Sequence, residues 1–461
     1  MTDVMTTGVE ELRAAVRGSV IGREYAGYDE ARQLYNAMID KRPALIVRCA
    51  DVADVIAAVN FGRDGGLDTA ISGGGHNGGG LGSVDDGLVI DLSGMRSVRV
   101  APDGETADVA GGALFGDIDH ATHAIGRATP GGIISTTGAG GLILGGGIGH
   151  LTRKCGLSID NVLGADVVLA DGSLVTANEN ENEDLYWGIR GGGGNFGVVT
   201  SITLQLHPVG MVAAGPMLWP LEHAADVLRW YREFLPSAPE DLNGFFAFLT
   251  VPPGPPFPEE LHLQKMCGVV WSWAGALEDA DSALAEARSL PGIALDGVQP
   301  MPLPVLQGAF DEIYPAGDQW YWRADFVKDI PDEAIERHVE FAEKLPTWKS
   351  TMHLYPIDGA ARRVGPTDTP WAYRDATWAS VMVGVDSDPA NAEAIKSWTV
   401  DYWDALHPYS AGGAYVNMMM DEGQERVQAS YQENYDRLTK VKAKYDPDNF
   451  FHVNQNIKPA T

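Results

Sequence analysis

Apolar positions in the first part of the chain fall in short runs with β character, separated by glycine clusters. Residues 44–48 read as a strand. Asp51 then caps a helix in which Val52, Val55, Ile56 and Val59 recur at helical spacing, until Gly65 and Gly66 stop it. Residues 67–72, 88–92 and 198–206 predict further strands, and Asp86-Gly87, Asp103-Gly104 and Asp171-Gly172 supply turns. From Pro208 the texture changes: glycine thins out while tryptophan and proline rise, so a second domain is expected to start there. Helices are predicted over 221–235, 277–290, 332–345 and 389–406, between aromatic, β-prone runs such as 268–273. The proline-rich stretch 252–258 reads as a surface loop. A last helix over 424–444 ends at Asp446-Pro447, and the tail F-F-H-V-N-Q-N-I-K-P is apolar enough to dock on the first lobe.

Length and composition narrow this picture. A chain of 461 residues with 45% hydrophobic and 21% charged residues is too long for one ordinary core and suits two lobes. The 33 Lys and Arg against 63 Asp and Glu give a formal charge of −30, which would repel phosphate backbones and anionic lipid surfaces. Nucleic acid and membranes are therefore not expected as partners. No window approaches the ~18 apolar residues of a membrane span, and the first residues lack the apolar run of a signal peptide. Three cysteines, Cys49, Cys155 and Cys267, build no disulfide framework, so a reducing, cytoplasmic setting is expected.

The glycines carry the candidate chemistry. Gly73, Gly75 and Gly78 satisfy the G-x-G-x-x-G dinucleotide fingerprint, and so do Gly192, Gly194 and Gly197. Both run into β-prone sequence instead of opening a helix, which the Rossmann site needs to face the pyrophosphate, so that reading fails. Residues without a Cβ can still turn backbone amides toward a phosphate without any helix. A third cluster, 131–149, mixes glycines with short apolar and hydroxyl residues and suits a long dinucleotide threaded between strands.

Three motifs give these clusters a family. They are S-G-G-G-H-N-G-G-G around His76, G-G-G-I-G-H-L-T-R-K-C-G-L-S-I-D-N-V around Cys155, and the ending N-Y-D-R-L-T-K-V-K-A-K-Y-D-P-D-N-F-F-H-V-N-Q-N-I-K-P. In order and spacing the chain resembles the berberine bridge enzyme-like FAD-linked oxidases of the vanillyl-alcohol oxidase/p-cresol methylhydroxylase superfamily. The resemblance implies an α+β fold in two lobes. A PCMH-type FAD-binding domain (1–207, completed by 416–461) would stand beside a substrate domain (208–415) with a large antiparallel sheet covered by helices. It also implies a bicovalent flavin, with His76 bonded to the 8-methyl carbon and Cys155 to ring carbon 6. Around it, FAD contacts are expected from Gly73, Gly74, Gly75, Asn77, Gly80, Thr136, Gly138, Gly141, Gly145, Gly197, Val199, Asn454 and Asn456. No metal is expected. The implied reaction is hydride transfer from a small-molecule alcohol or hemiacetal carbon, a carbohydrate among the options, with O2 as acceptor and hydrogen peroxide as product. Alternatives are oxidation of a C–N bond or oxidative cyclisation of a secondary metabolite, a dehydrogenase using another electron acceptor, and a catalytically silent binding protein.

The chain departs from the family at the catalytic base. Met418 and Ser380 stand where family members carry a tyrosine or a glutamate. Replacement candidates are Tyr415, taken first, then Tyr321, Asp358 and His353. Trp271, Trp273, Trp320, Tyr321 and Trp322 form aromatic runs able to stack on a sugar or an aromatic ring, although alternation along a strand must send about half of them into the core.

Overall fold

Three sheets organise the chain in the computed structural model, which describes residues 2–461, with side chains from Gly8 onward. The first sheet holds β1 (Ser19–Gly22), β2 (Leu45–Arg48), β3 (Thr69–Ser72) and β4 (Leu88–Asp91) in the order β1-β2-β4-β3. Strands β2, β4 and β3 run parallel, joined through the helix Val52–Asp64. Asp51 caps that helix by accepting from the amides of Ala53 and Asp54, and Gly66, at φ +60°, turns the chain out of it. The second sheet is antiparallel: β5 (Val98–Val100), β6 (Thr106–Ala110), β7 (Val162–Val168), β8 (Leu174–Asn178) and β9 (Val198–Gln205), ordered β5-β6-β9-β7-β8.

Beyond Met211 the chain builds one eight-stranded antiparallel sheet from β10 (Met211–Pro220), β11 (Leu242–Thr250), β12 (Lys265–Trp273), β13 (Leu295–Asp296), β14 (Gln299–Pro302), β15 (Gln319–Val327), β16 (Thr351–Pro356) and β17 (Trp378–Asp386). Its order is β13-β10-β12-β11-β16-β17-β15, with β14 alongside β10. Alternation sorts its side chains onto two buried faces. Phe246, Phe248, Met352, Leu354 and Met382 pack under the helices Ala224–Ser237, Asp332–Ala342 and Ala392–Leu406. Phe245, Tyr355, Val381, Trp320 and Trp322 face the other way, into the core shared with the first lobe. Because both faces are buried, these strands read as continuous apolar runs and carry no alternating signature.

Several predicted elements change form. The 277–290 helix is three short turns, Leu277–Asp279, Ala280–Ala283 and Ala285–Ser289. The last helix is broken into Gln424–Tyr431 and Asn434–Tyr445 by Gln432 at φ +48°, a left-handed conformation that no sequence period announces. The cluster at 131–149 holds a short helix, Ala139–Gly145, that three glycines had concealed. Among the described residues no helix is long and apolar enough to cross a membrane.

The tail lies on the first lobe through a buried cation. Lys442 donates to the carbonyls of Asn195 (2.6 Å) and Phe451 (2.8 Å) and to Asp446 Oδ2 (2.6 Å), and neither Lys442 nor Asp446 has exposed side chain. Asn195 completes the joint, donating to Gln455 O (3.1 Å) and accepting from the Ile457 amide (2.8 Å). Removing one partner of such a pair leaves a charge in an apolar setting. Lys442→Ala is therefore expected to lower stability by about 3–5 kcal/mol. Urea unfolding checks this, and a midpoint unchanged from wild type would contradict it.

Candidate active site

A cavity of about 330 Å3 runs where the glycine loops of the first lobe meet the large sheet, within the roughly 300–1,000 Å3 of ligand pockets. One wall is backbone. Leaving β3, the chain passes through Gly73, Gly74 and Gly75, and at Gly74 it crosses Gly138 without room for a side chain on either residue. A Cβ on Gly74 would sit 2.3 Å from the Gly138 amide nitrogen, and one on Gly138 would sit 2.4 Å from that of Gly74. On Gly140 it would meet the Gly111 carbonyl at 2.7 Å. Gly192, Gly193 and Gly194 add a third stretch of bare backbone to the same lining. The other wall is the sheet face carrying Trp320, Trp322, Thr351, His353, Tyr355, Val381 and Val383.

His76 sits at the junction. Its Nε2 is 3.1 Å from Thr136 Oγ1 and its Nδ1 is 3.4 Å from Thr137 Oγ1, so both hydroxyls steer the ring. Tyr35 stacks on it with centroids 3.8 Å apart and is itself tied by its hydroxyl to the Tyr314 carbonyl (2.5 Å). Burial lowers the His76 pKa to about 4, against a smaller upward pull from Thr136. The imidazole is neutral near pH 7 and keeps a nitrogen lone pair, the form required of a nucleophile.

The cavity gathers most of the expected contacts and leaves some aside. Gly73, Gly74, Gly75, His76, Asn77, Gly138, Gly141, Gly197, Val199 and Asn454 line it. Thr136 reaches it only through His76. Gly80, Gly145 and Asn456 lie outside the lining: Gly80 gives way to Ile39, Gly145 to Asn417, and the Asn456 carbonyl receives Gln424 Nε2 (3.0 Å). Tyr35 belongs to the site but carries no sequence motif. Asn454 Oδ1 is buried without a partner on this lining. Bare backbone over a long stretch, an unpartnered amide oxygen and a neutral imidazole together fit a long dinucleotide with an electrophilic ring.

Cys155 does not belong to that set. It ends the short helix Thr152–Cys155 and packs against the cluster of Ala128, Leu151, Val209, Leu303 and Leu306, away from the lining residues. Burial pushes its thiol up to about 12 despite the opposing pull of Lys154, so the thiolate is scarce at neutral pH. Beside the histidine loop the lining offers Ile133 and Ile134 instead. Neither the position nor the ionisation of Cys155 supports the expected second flavin link there.

The base candidates separate as clearly. Asp358 is buried and paired with the equally buried Arg153 (2.8 Å), which also donates to the carbonyls of Pro239 (3.0 Å) and Ala238 (3.1 Å); it is a lobe joint outside the cavity. Tyr321 points from the opposite face of β15 toward the helix Ala392–Leu406, where Arg323 donates to its hydroxyl (3.1 Å) and Lys396 lies over its ring. Tyr415 does line the cavity, but its oxygen accepts from the Gly147 amide (2.9 Å) and from Asn417 Nδ2 (2.8 Å), which fills its acceptor capacity. Burial also raises its pKa to about 12. Ser380 lies outside the lining, whereas Met418 is part of it. His353 faces the cavity, with Nδ1 2.6 Å from the Tyr355 hydroxyl. Of the aromatic runs, Trp320 and Trp322 reach the cavity, while Trp271 and Trp273 belong to the core under the helices. No Asp, Glu, Lys or Arg occurs among the lining residues.

Comparison with known proteins places the chain among flavoproteins. A family model described as FAD binding domain matches residues 43–178, and one described as berberine and berberine like matches 414–458. Over 456 residues the chain is 31% identical to an FAD-linked oxidoreductase of Dictyostelium discoideum, spanning 98% of this chain and 97% of that protein. It is 28% identical over 463 residues to a xylooligosaccharide oxidase of Thermothelomyces thermophilus, spanning 92% and 89%. The crystal structure of 6-hydroxy-D-nicotine oxidase from Arthrobacter nicotinovorans superposes with a TM-score of 0.86 at 26% identity, covering 96% of this chain and 98% of that one.

The backbone crossing makes a direct prediction. Gly74→Ala should purify with little or no flavin, because the Cβ must push the 138–140 segment out of the cavity wall. The flavin-to-protein absorbance ratio measures it, and a wild-type ratio would contradict the cradle.

Proposed function

We propose that this chain, which belongs to the berberine bridge enzyme-like family of FAD-linked oxidoreductases, holds FAD through one covalent bond at His76 and oxidises a neutral CH–OH donor. The observation that carries this reading is the desolvated, neutral His76 imidazole, fixed between two threonine hydroxyls and the Tyr35 ring at the end of the glycine cradle. When bound, FAD supplies a two-electron acceptor for a hydride and a route for those electrons to O2, with hydrogen peroxide as the product.

The chain's own residues do the rest. Trp320, Trp322, Tyr314 and Tyr355 offer ring faces and edges on which a sugar or other flat substrate can stack. With no ionised side chain in the lining, a neutral substrate is favoured, since a charged one would lose its hydration without gaining a counter-ion. Alcohols and hemiacetals meet that condition, and the xylooligosaccharide oxidase relative is named for a carbohydrate.

A second reading is C–N oxidation, in keeping with the 6-hydroxy-D-nicotine oxidase likeness. The absence of a carboxylate from the lining then requires the amine to enter as its free base. An anaerobic panel of xylobiose, neutral secondary alcohols and secondary amines tests both. Bleaching of the flavin by the oxygen donors, with one peroxide formed per substrate on readmitting air, is expected. Bleaching by amines alone would transfer the assignment to the second reading, and reduction without peroxide would make the protein a dehydrogenase. Acid precipitation tests the attachment: colour should stay with the wild-type pellet and be released from His76→Ala.

A further inference from the structure

We infer that His353 is the catalytic residue that takes the substrate's proton, on Nε2, and that Tyr355 is the positioning residue that holds its ring. The inference rests on the CH–OH reading above. It begins from a shortage: oxidation of CH–OH to C=O releases a hydride and a proton, and the lining has few places for that proton. It contains no carboxylate. Tyr415 has its oxygen filled by two N–H donors, and Thr351 gives its hydroxyl hydrogen to the Phe248 carbonyl (2.7 Å). Asn77 Oδ1 is occupied by the Leu81 amide (3.2 Å). His76 is committed to the cofactor. His353 is the other imidazole on the lining.

The strand makes the pair. On β16, Thr351, His353 and Tyr355 share the cavity face, while Met352 and Leu354 enter the core beneath the helices. Phe245 on the neighbouring strand packs against both rings, at 5.1 Å from His353 and 5.2 Å from Tyr355, which leaves little freedom for either to rotate. The 2.6 Å contact between His353 Nδ1 and the Tyr355 hydroxyl ties the tautomer to the direction of this hydrogen bond, and the proton is assigned to Nδ1. With Nδ1–H donating to the phenol oxygen, Nε2 presents a lone pair to the cavity and the phenol O–H is left free to point there. An alcohol oxygen needs that combination, one acceptor for its hydrogen and one donor for its lone pair. In the opposite tautomer the pair offers the cavity an Nε2–H and only the weakly basic phenol oxygen as acceptor. Burial holds the His353 ring neutral, with its pKa lowered to about 3, which keeps the Nε2 lone pair available at neutral pH while making it a weaker acceptor than a free imidazole.

The step balances as follows. The C–H bond breaks and its electron pair leaves with the hydrogen for the flavin. The O–H bond breaks, its proton bonds to Nε2, and its electron pair becomes the second C–O bond. The imidazolium so formed is stabilised by the Nδ1–H bond to the Tyr355 oxygen and returns its proton to solvent as product leaves.

Two measurements on the flavin-loaded enzyme test this. Nitrogen NMR of protein labelled in its histidine rings should find His353 protonated at Nδ1 and bare at Nε2, and Tyr355→Phe should abolish that preference. A wild-type ring protonated at Nε2 would overturn the proposal whatever the substrate is. Anaerobic flavin reduction by xylobiose or a secondary alcohol should slow about 10²–10⁴-fold in His353→Gln, with acid-stable flavin retained and KM little changed. Reduction within a few fold of wild type would overturn it. If no alcohol or sugar reduces the wild-type flavin, the CH–OH reading fails, and the NMR result alone decides whether His353 is poised as an acceptor. Should His353→Gln fail to fold, Tyr355→Phe carries both measurements.

Discussion

Two lengths of backbone, 73–75 and 138–140, cross so closely at Gly74 and Gly138 that neither of those two residues can bear a side chain, and the site depends on that crossing. It puts the end of β3 against the segment after Thr137 with amide nitrogens about where Cβ atoms would otherwise stand. Once the two are locked, Thr136 and Thr137 arrive on either side of His76, and the ring is desolvated by its own loop and by Tyr35. A side chain at the crossing would therefore disturb both the room for a cofactor and the chemical state of the residue that would hold it.

The large sheet supplies the opposing wall by a different device. Its strands are buried on both faces, one under helices and one facing the first lobe, so Trp320 and Trp322 of β15, Thr351, His353 and Tyr355 of β16, and Val381 and Val383 of β17 are delivered to the site from a rigid element. The charges that tie the lobes together, Arg153 with Asp358 and Lys442 with Asp446, are buried away from the lining. The cavity is left with neutral polar groups and aromatic rings, which suits chemistry in which a hydride and a proton leave a neutral substrate along separate paths.

The sequence made some of this legible. Glycine clusters imply backbone approach wherever they occur, so the cradle and the His76 loop could be read directly, and the capped helix after β2 follows from Asp51 and its apolar spacing. The packing of Cys155 was not legible, because a motif records order along the chain, whereas the end of the helix Thr152–Cys155 turns the thiol toward a separate core. Asp358 and Tyr321 were near the right strands, but alternation and a buried arginine decide which way a residue faces and whether it is free. Tyr35 stands in a mixed stretch, Q-L-Y-N-A-M-I, with no motif around it, and only the tertiary fold brings it onto His76. The double burial of the large sheet erases the alternation that would have revealed which of Trp271, Trp273, Trp320 and Trp322 reach the cavity.

The most direct test of this account is peptide-resolved mass spectrometry of the wild-type protein after denaturation and thiol alkylation. FAD should be found on the peptide carrying His76, with Cys155 alkylated as a free thiol. Flavin on the Cys155 peptide, or an unmodified His76 peptide from a yellow preparation, would contradict it.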